Sequence, residues 1–341
     1  MIAHFFHAWE RRLAARTTDR VVRGFEWGVD WLDDRHGPAA SPHEELRDWS
    51  ARMVADSERF FHAPATDGYE LRGNVLSFPS AFRTPHPENN TVHALYFPAA
   101  GRAAAGRAAG RRAVVVLPQW NADAGSHVAL SRLIARAGIS SVRLSLPYHD
   151  QRMPPELHRA DYIVSANLGR TLQVCRQAVL DARRAVHWLS GRGYERIGIL
   201  GTSLGSCLAM LTAAHEPRIR AAALNHISPY FADVVWRGLS TAHVRAGLDG
   251  RIDLDRLRRL WLPISPQPYV DRLRNTQVLL VYARYDLSFP VGLSRRLVAR
   301  FRRCGVPHRA FALPCGHYTT GIAPFNWLDG YVLVRFLART L

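Results

Sequence analysis

The sequence predicts an α/β protein: a doubly wound, mostly parallel sheet with an N-terminal helical extension and a helical cap insertion. Three observations point there. The run Ala113-Val114-Val115-Val116-Leu117 is apolar without alternation, as in central strands covered on both faces. From that run onward, strand-like and helix-like segments alternate to the end of the chain, and repeated strand–helix units build a parallel sheet. With 341 residues and 48% hydrophobic content the chain can bury one large core, and 21% charged residues exclude wholesale disorder.

Residues 1 to about 63 read as helical. One segment runs from about Ile2 to Asp33; a second opens at Ser41-Pro42, where Ser caps and Pro begins a first turn, and runs to about His62. Gly37-Pro38 separates them. This extension, bounded near residue 70, shows no strand signal and no nameable chemistry. Its stripe Phe5, Phe6, Trp9 and Leu13 reads as a face packed on the protein's own core, with peripheral membrane contact as the alternative. Asn74 to Phe78 and Thr91 to Phe97 are β-rich and punctuated by Pro79, Pro85 and Pro87, which predicts an antiparallel edge. Gly101 to Arg112 is a low-complexity Ala/Gly/Arg surface loop.

After the strand at residues 113–117 come a helix from His127 to Ala137, a strand from Ser141 to Leu146 and a long helix from Tyr162 to Leu189. A strand at Arg196 to Leu200, a helix at Ser203 to His215 and a strand at Ala221 to His226 follow. Residues 228–275 interrupt the rhythm with helical, Trp- and Pro-containing sequence: the cap. The pattern resumes with a strand at Gln277 to Ala283, a helix at Val291 to Cys304, a strand at His308 to Leu313 and a helix from Phe325.

All 45 basic residues are arginine, and the formal net charge is +17. The absence of lysine excludes Ser–Lys dyads and Schiff-base chemistry. The arginines are spread evenly and no nucleic-acid motif is interleaved with them, so the excess reads as compositional and no nucleic-acid partner is expected. The four cysteines have no CxxC or metal-ligand spacing; neither a metal nor another cofactor is expected. No window reaches the ~18 apolar residues of a membrane span, and residues 1–16 lack a signal-peptide core. A cytoplasmic protein is the expectation.

Gly201-Thr202-Ser203-Leu204-Gly205 fits a nucleophile elbow, G-x-S-x-G between a strand and a helix. The turn strains the serine backbone, so the residues two before and two after must be small. The helix that starts there aims its N-terminal dipole at a forming oxyanion. A serine hydroxyl needs a base, and the base an acid that sets its tautomer. Asp286, just beyond the strand Val278 to Ala283, and His317, in Pro314-Cys315-Gly316-His317, supply both in the required order. Asp271, Asp249 and Asp233 are the rival acids.

On these residues the chain resembles the α/β-hydrolase superfamily over roughly residues 70 to 341, and most nearly the dienelactone-hydrolase and acetyl-esterase-like branch. The resemblance implies residues 71–341 as the hydrolase domain. It also implies an oxyanion hole from the Leu204 N–H and a second N–H in the loop after Leu117, from Trp120 or Gln119. That loop departs from the family's His-Gly-Gly type, and Trp120 serves equally as a pocket wall. Tyr148, His149 and Arg152 follow a strand on the same edge and are candidate substrate contacts, against a loop that only packs. His226 reads as a core histidine with a satisfied hydrogen bond, with a place in the pocket lining as the alternative. Phe231, Trp236, Leu239, Leu260 and Trp261 are candidates for an apolar acyl pocket in the cap.

The expected activity is serine-dependent hydrolysis of a small-molecule carboxylic ester through an acyl-enzyme. The alternatives are a peptidase or amidase on the same residues, and a non-catalytic binding protein of the same fold.

Overall fold

The computed structural model describes residues 1–34, 41–99 and 111–341. The Gly37-Pro38 break and residues 101–110 of the Ala/Gly/Arg run lie outside the described residues. The elements are α1 (Ile2–Ala14), α2 (Pro42–Ala55), α3 (Ser57–Phe60), β1 (Glu70–Arg72), β2 (Val75–Pro79), β3 (Thr91–Phe97) and β4 (Arg112–Leu117). Next come α4 (Val128–Arg136), β5 (Ser140–Leu144), α5 (Leu168–Gly191), β6 (Arg196–Thr202), α6 (Leu204–His215) and β7 (Ile219–Asn225). Three short helices follow, α7 (Phe231–Arg237), α8 (Ala242–Leu248) and α9 (Leu254–Leu260). The chain ends with β8 (Gln277–Ala283), α10 (Val291–Arg303), β9 (His308–Leu313) and α11 (Phe325–Thr340).

Among the described residues nine strands form one sheet in the order β1-β2-β3-β5-β4-β6-β7-β8-β9. From β5 to β9 every neighbouring pair is parallel. The first three strands form an antiparallel meander whose last member pairs antiparallel with β5. That edge has one strand more than expected, the short Glu70–Arg72.

The unbroken apolar texture of β4 has a direct cause. Ala113, Val115 and Leu117 pack into the core layer shared with α5 and α6, while Val114 and Val116 pack into the opposite layer beneath α11. Both faces are covered, so a polar residue has no place on either.

The extension departs from the expected pair of helices. The second opens as predicted, with Ser41 Oγ accepting the Glu44 N–H at 3.3 Å, but breaks at Asp56 into α2 and α3. The first stops at Ala14, and residues 15–28 cross the protein without regular structure. Thr17-Thr18 and Val21-Val22 are poor helix formers, and tertiary partners take the polar side chains instead. Arg20 donates to Tyr318 Oη at 3.0 Å and Arg23 pairs with Asp161 at 3.0 Å. Likewise α5 starts at Leu168 rather than Tyr162, because Asn167 Oδ1 caps it by accepting the Arg170 N–H at 2.9 Å.

No helix among the described residues is long and apolar enough to cross a membrane. The basic excess is partly internal. Arg152 is fully buried; it donates to Asp181 Oδ2 at 2.8 Å, Ser145 O at 3.0 Å and Asn89 O at 2.8 Å. Asp181 also accepts from Ser80 Oγ at 2.7 Å. Removing one charge of a buried pair strands the other. Asp181→Asn should therefore lower the unfolding free energy by about 3–5 kcal/mol, read as a shifted urea midpoint at unchanged slope.

Candidate active site

Ser203 sits between β6 and α6 with φ 57 and ψ −120, a conformation that non-glycine residues hold only under constraint. The flanking glycines are required by contact. A Cβ on Gly201 would lie 2.0 Å from Gly205 O, and one on Gly205 would lie 2.2 Å from Leu117 O. The Ser203 N–H donates to Asn225 O at 2.8 Å, and its carbonyl accepts from Ser206 Oγ at 2.6 Å. The turn is thus tied to the end of β7 and to the first turn of α6.

A chain of hydrogen bonds leads away from the hydroxyl. Ser203 Oγ donates to His317 Nε2 at 3.2 Å, and His317 Nδ1 donates to Asp286 Oδ2 at 3.0 Å. Asp286 follows β8 and His317 follows β9, so parallel strands deliver all three residues to one edge of the sheet. Asp286 Oδ1 caps its own loop by accepting the N–H groups of Ser288 at 2.8 Å and Phe289 at 2.6 Å. The Phe289 ring lies parallel to the His317 imidazole, centroids 5.3 Å apart. The rival acids are occupied elsewhere: Asp233 by Arg258, Asp271 by Arg300 and Asp249 by Arg245.

His226 is the member that the sequence did not reveal. It follows β7 with φ 58, and its Nδ1 donates to the same Asp286 Oδ2 at 2.9 Å. Reading it as a core histidine anticipated a satisfied hydrogen bond but not the partner. Both imidazoles are buried against one carboxylate. Burial, and then the neighbouring His317, push the His226 pKa down, so it is the neutral donor. Burial also opposes charge on His317, but the Asp286 carboxylate outweighs it and lifts His317 above the ordinary histidine value. Burial alone would raise the Asp286 pKa; the two imidazoles hold it far below the usual carboxylate range.

The nitrogen and oxygen atoms of His226, Asp286 and His317 lie within 4.8 Å of one another, a spacing compatible with a metal ion. Here both imidazoles point N–H groups at one oxygen, and the other oxygen holds two backbone N–H groups. The donors converge on an anion, which is not a ligand set open to a cation.

Ser203 opens onto an apolar cavity of about 470 Å³, open mouth included, whose walls include Leu204, Cys207, Phe231, Val234, Val235 and Phe289. Trp120 also lines it, from the loop after β4. Trp120 Nε1 donates to Ala160 O at 2.8 Å, and Asn121 Oδ1 accepts the Ala160 N–H at 2.9 Å. The Asn121 N–H is committed to His149 Nε2 at 2.9 Å. The Gln119 side chain turns to Ser126 Oγ at 3.4 Å.

Four expected substrate contacts lie away from the cavity at Ser203. Tyr148 is fully buried, and its hydroxyl lies 3.0 Å from His86 Nδ1. His149 is buried and bridges Pro147 O to the Asn121 N–H; burial lowers its pKa to about 4, so it supports the loop as a neutral ring. Trp236 is half-buried, lies outside the cavity wall and carries the Arg245 guanidinium 5.1 Å over its ring. Arg152 is buried as described above. Of the predicted acyl-pocket residues only Phe231 lines the cavity. Trp261 and Leu260 are wholly buried, Trp261 packing edge-on against Phe231 at 5.5 Å. Each of these chains has the right composition for a pocket, and composition does not tell a pocket wall from a core.

Residues 125–261 match the family described as alpha/beta hydrolase domain containing 18, a span that includes Ser203 and stops short of Asp286. No curated protein matches the chain. Among solved structures, the acylaminoacyl peptidase of Pyrococcus horikoshii is 14% identical with a TM-score of 0.61 over 81% of this chain. The chain spans only 42% of that peptidase. An acetyl xylan esterase from Paenibacillus sp. R4 is 15% identical with a TM-score of 0.61, covering 92% of this chain and 98% of its own. Acetyl xylan esterase 1 from Thermoanaerobacterium sp. JW/SL YS485 is 15% identical with a TM-score of 0.57, covering 89% and 95%. The sheet, the elbow and these similarities define an α/β-hydrolase fold. The family match covers residues 125–261 of the chain, and the structures that share its fold include both esterases and peptidases.

The two buried imidazoles should be distinguishable by histidine NMR on the free protein. His317 should titrate above, and His226 below, the ordinary value of 6.5. In Asp286→Asn the upward displacement of His317 should vanish.

Proposed function

We propose that this protein is a serine-dependent carboxylic-ester hydrolase. One observation carries the reading: Ser203 is held in a strained elbow with its Oγ 3.2 Å from His317 Nε2, facing an apolar cavity. Ser203 attacks the ester carbonyl while His317 accepts its proton. The Asp286 carboxylate keeps the proton-bearing Nδ1 toward itself and stabilises the imidazolium. The tetrahedral oxyanion rests on the N–H of Leu204, at the start of α6, and on that of Trp120 or Gln119. His317 then protonates the leaving alcohol, and water hydrolyses the acyl-enzyme by the same relay in reverse roles.

Residues 228–275 form the cap. Phe231, Val234 and Val235 close the cavity over Ser203, and the lining contains no charged side chain. That favours an uncharged, apolar acyl group. It also favours the ester reading over a peptidase that holds a free amino terminus, since among the described residues no carboxylate lines the cavity. Four unpaired cysteines suit a reducing, cytoplasmic setting.

Labelling with a fluorophosphonate probe and hydrolysis of p-nitrophenyl esters test this. Wild type should label and turn over, and Ser203→Ala should lose the label and about 10⁴-fold or more of kcat. Labelling that persists in Ser203→Ala sinks the assignment. Turnover of p-nitroanilides in preference to the matching esters would favour the amidase.

Acyl-chain preference measures the cavity. Val235→Trp should shorten the preferred p-nitrophenyl ester while leaving acetate turnover within about threefold.

A further inference from the structure

Helix α1 brings a carboxylate to the catalytic edge from the far end of the chain. Glu10 is completely buried, and both its oxygens are engaged by the turn that carries His317. Oε2 accepts the Tyr318 N–H at 2.9 Å; Oε1 accepts the Thr319 N–H and the Thr319 hydroxyl, each at 2.9 Å. The adjoining Gly316 is shaped for this contact, because a Cβ there would lie 2.3 Å from Glu10 Cδ. One helical turn before Glu10, Phe6 stacks on Tyr285, the neighbour of Asp286, with centroids 4.6 Å apart and planes 5° from parallel. The same helix therefore holds the acid loop through a ring and the base loop through a carboxylate.

We propose that Glu10 is a positioning residue of the Ser203 site, so that the segment bearing α1 is a working part of the hydrolase and not an appendage. This rests on the serine-hydrolase reading given above. The physical case has two parts. A buried carboxylate that caps two consecutive N–H groups fixes the turn, and with it the His317 side chain, in the orientation that reaches Ser203. Its negative charge also acts on the imidazole itself. Among the described residues the charged and titratable groups around His317 include Asp286 after β8, His226 after β7, Glu10 on α1, the adjoining Tyr318, and Arg20, which donates to Tyr318 Oη at 3.0 Å. Among the influences that raise the basicity of His317, Glu10 comes after Asp286.

The charge gives a test that a purely structural role does not pass. A base is active only when deprotonated, so the acid limb of kcat/KM follows the His317 pKa, and removing a nearby negative charge moves that limb to lower pH. Glu10→Gln should shift the limb down by roughly 0.5–1 pH unit and lower kcat more than it raises KM. Gly316→Ala, which drives the Glu10 carboxylate from its seat, should shift the limb the same way. Arg12→Ala, on the exposed face of α1, should leave the profile unchanged. His317 NMR titration in the same full-length variants gives the shift without a substrate. An unchanged limb and an unchanged His317 titration in Glu10→Gln, with activity lost only in proportion to unfolded protein, would overturn the assignment. Wild-type protein that neither labels with fluorophosphonate nor hydrolyses any ester would instead overturn the underlying reading. In that case the titration shift still decides whether Glu10 acts on His317.

Discussion

Asp286 accepts four hydrogen bonds with its carboxylate almost fully buried, and the sheet edge that carries Ser203 is organised around that anion. Two donors are backbone N–H groups of its own loop, which fix the carboxylate after β8. The other two are imidazoles that arrive from β7 and β9. A buried carboxylate is costly unless its lone pairs are filled, so the ends of three adjacent strands are held in register by one charge. His317 can then reach Ser203 only along one line.

That sharing also divides the labour of the two histidines. Two imidazolium ions against one buried carboxylate would repel each other, and burial disfavours the second charge. His226 stays neutral and donates, and His317 keeps the capacity to take a proton. A similar economy supports the loop at Gln119-Trp120. Neutral His149 accepts the Asn121 N–H, and Asn121 and Trp120 both bind the Ala160 backbone. This loop lacks the glycines common at such a place, and side-chain hydrogen bonds hold its shape instead. His149 supports this loop directly, whereas Tyr148 and Arg152 are buried against other partners, and none of the three lines the cavity at Ser203.

Much of the fold was legible because its signals are local. The strands β8 and β9 run as their apolar texture indicates, from Gln277 to Ala283 and from His308 to Leu313. The elbow could be recognised because steric contact dictates glycine on both sides of the serine. Where local signals compete with tertiary partners, the reading drifted. The helix expected to Asp33 ends at Ala14, since Arg20 and Arg23 find partners elsewhere, and α5 waits for the Asn167 cap.

What the sequence by itself determined is the order of most strands and helices, the strained serine, and the places of Asp286 and His317 just past two later strands, because each is set by neighbours a few residues away. What only the tertiary structure decided is who stands beside them. His226 meets Asp286 across 60 residues and Glu10 meets Thr319 across 309. A glutamate in an amphipathic helix and a histidine at a strand end carry no local mark of such a partner. The interaction exists only once the sheet has brought the ends of β7, β8 and β9 together and α1 has closed against them.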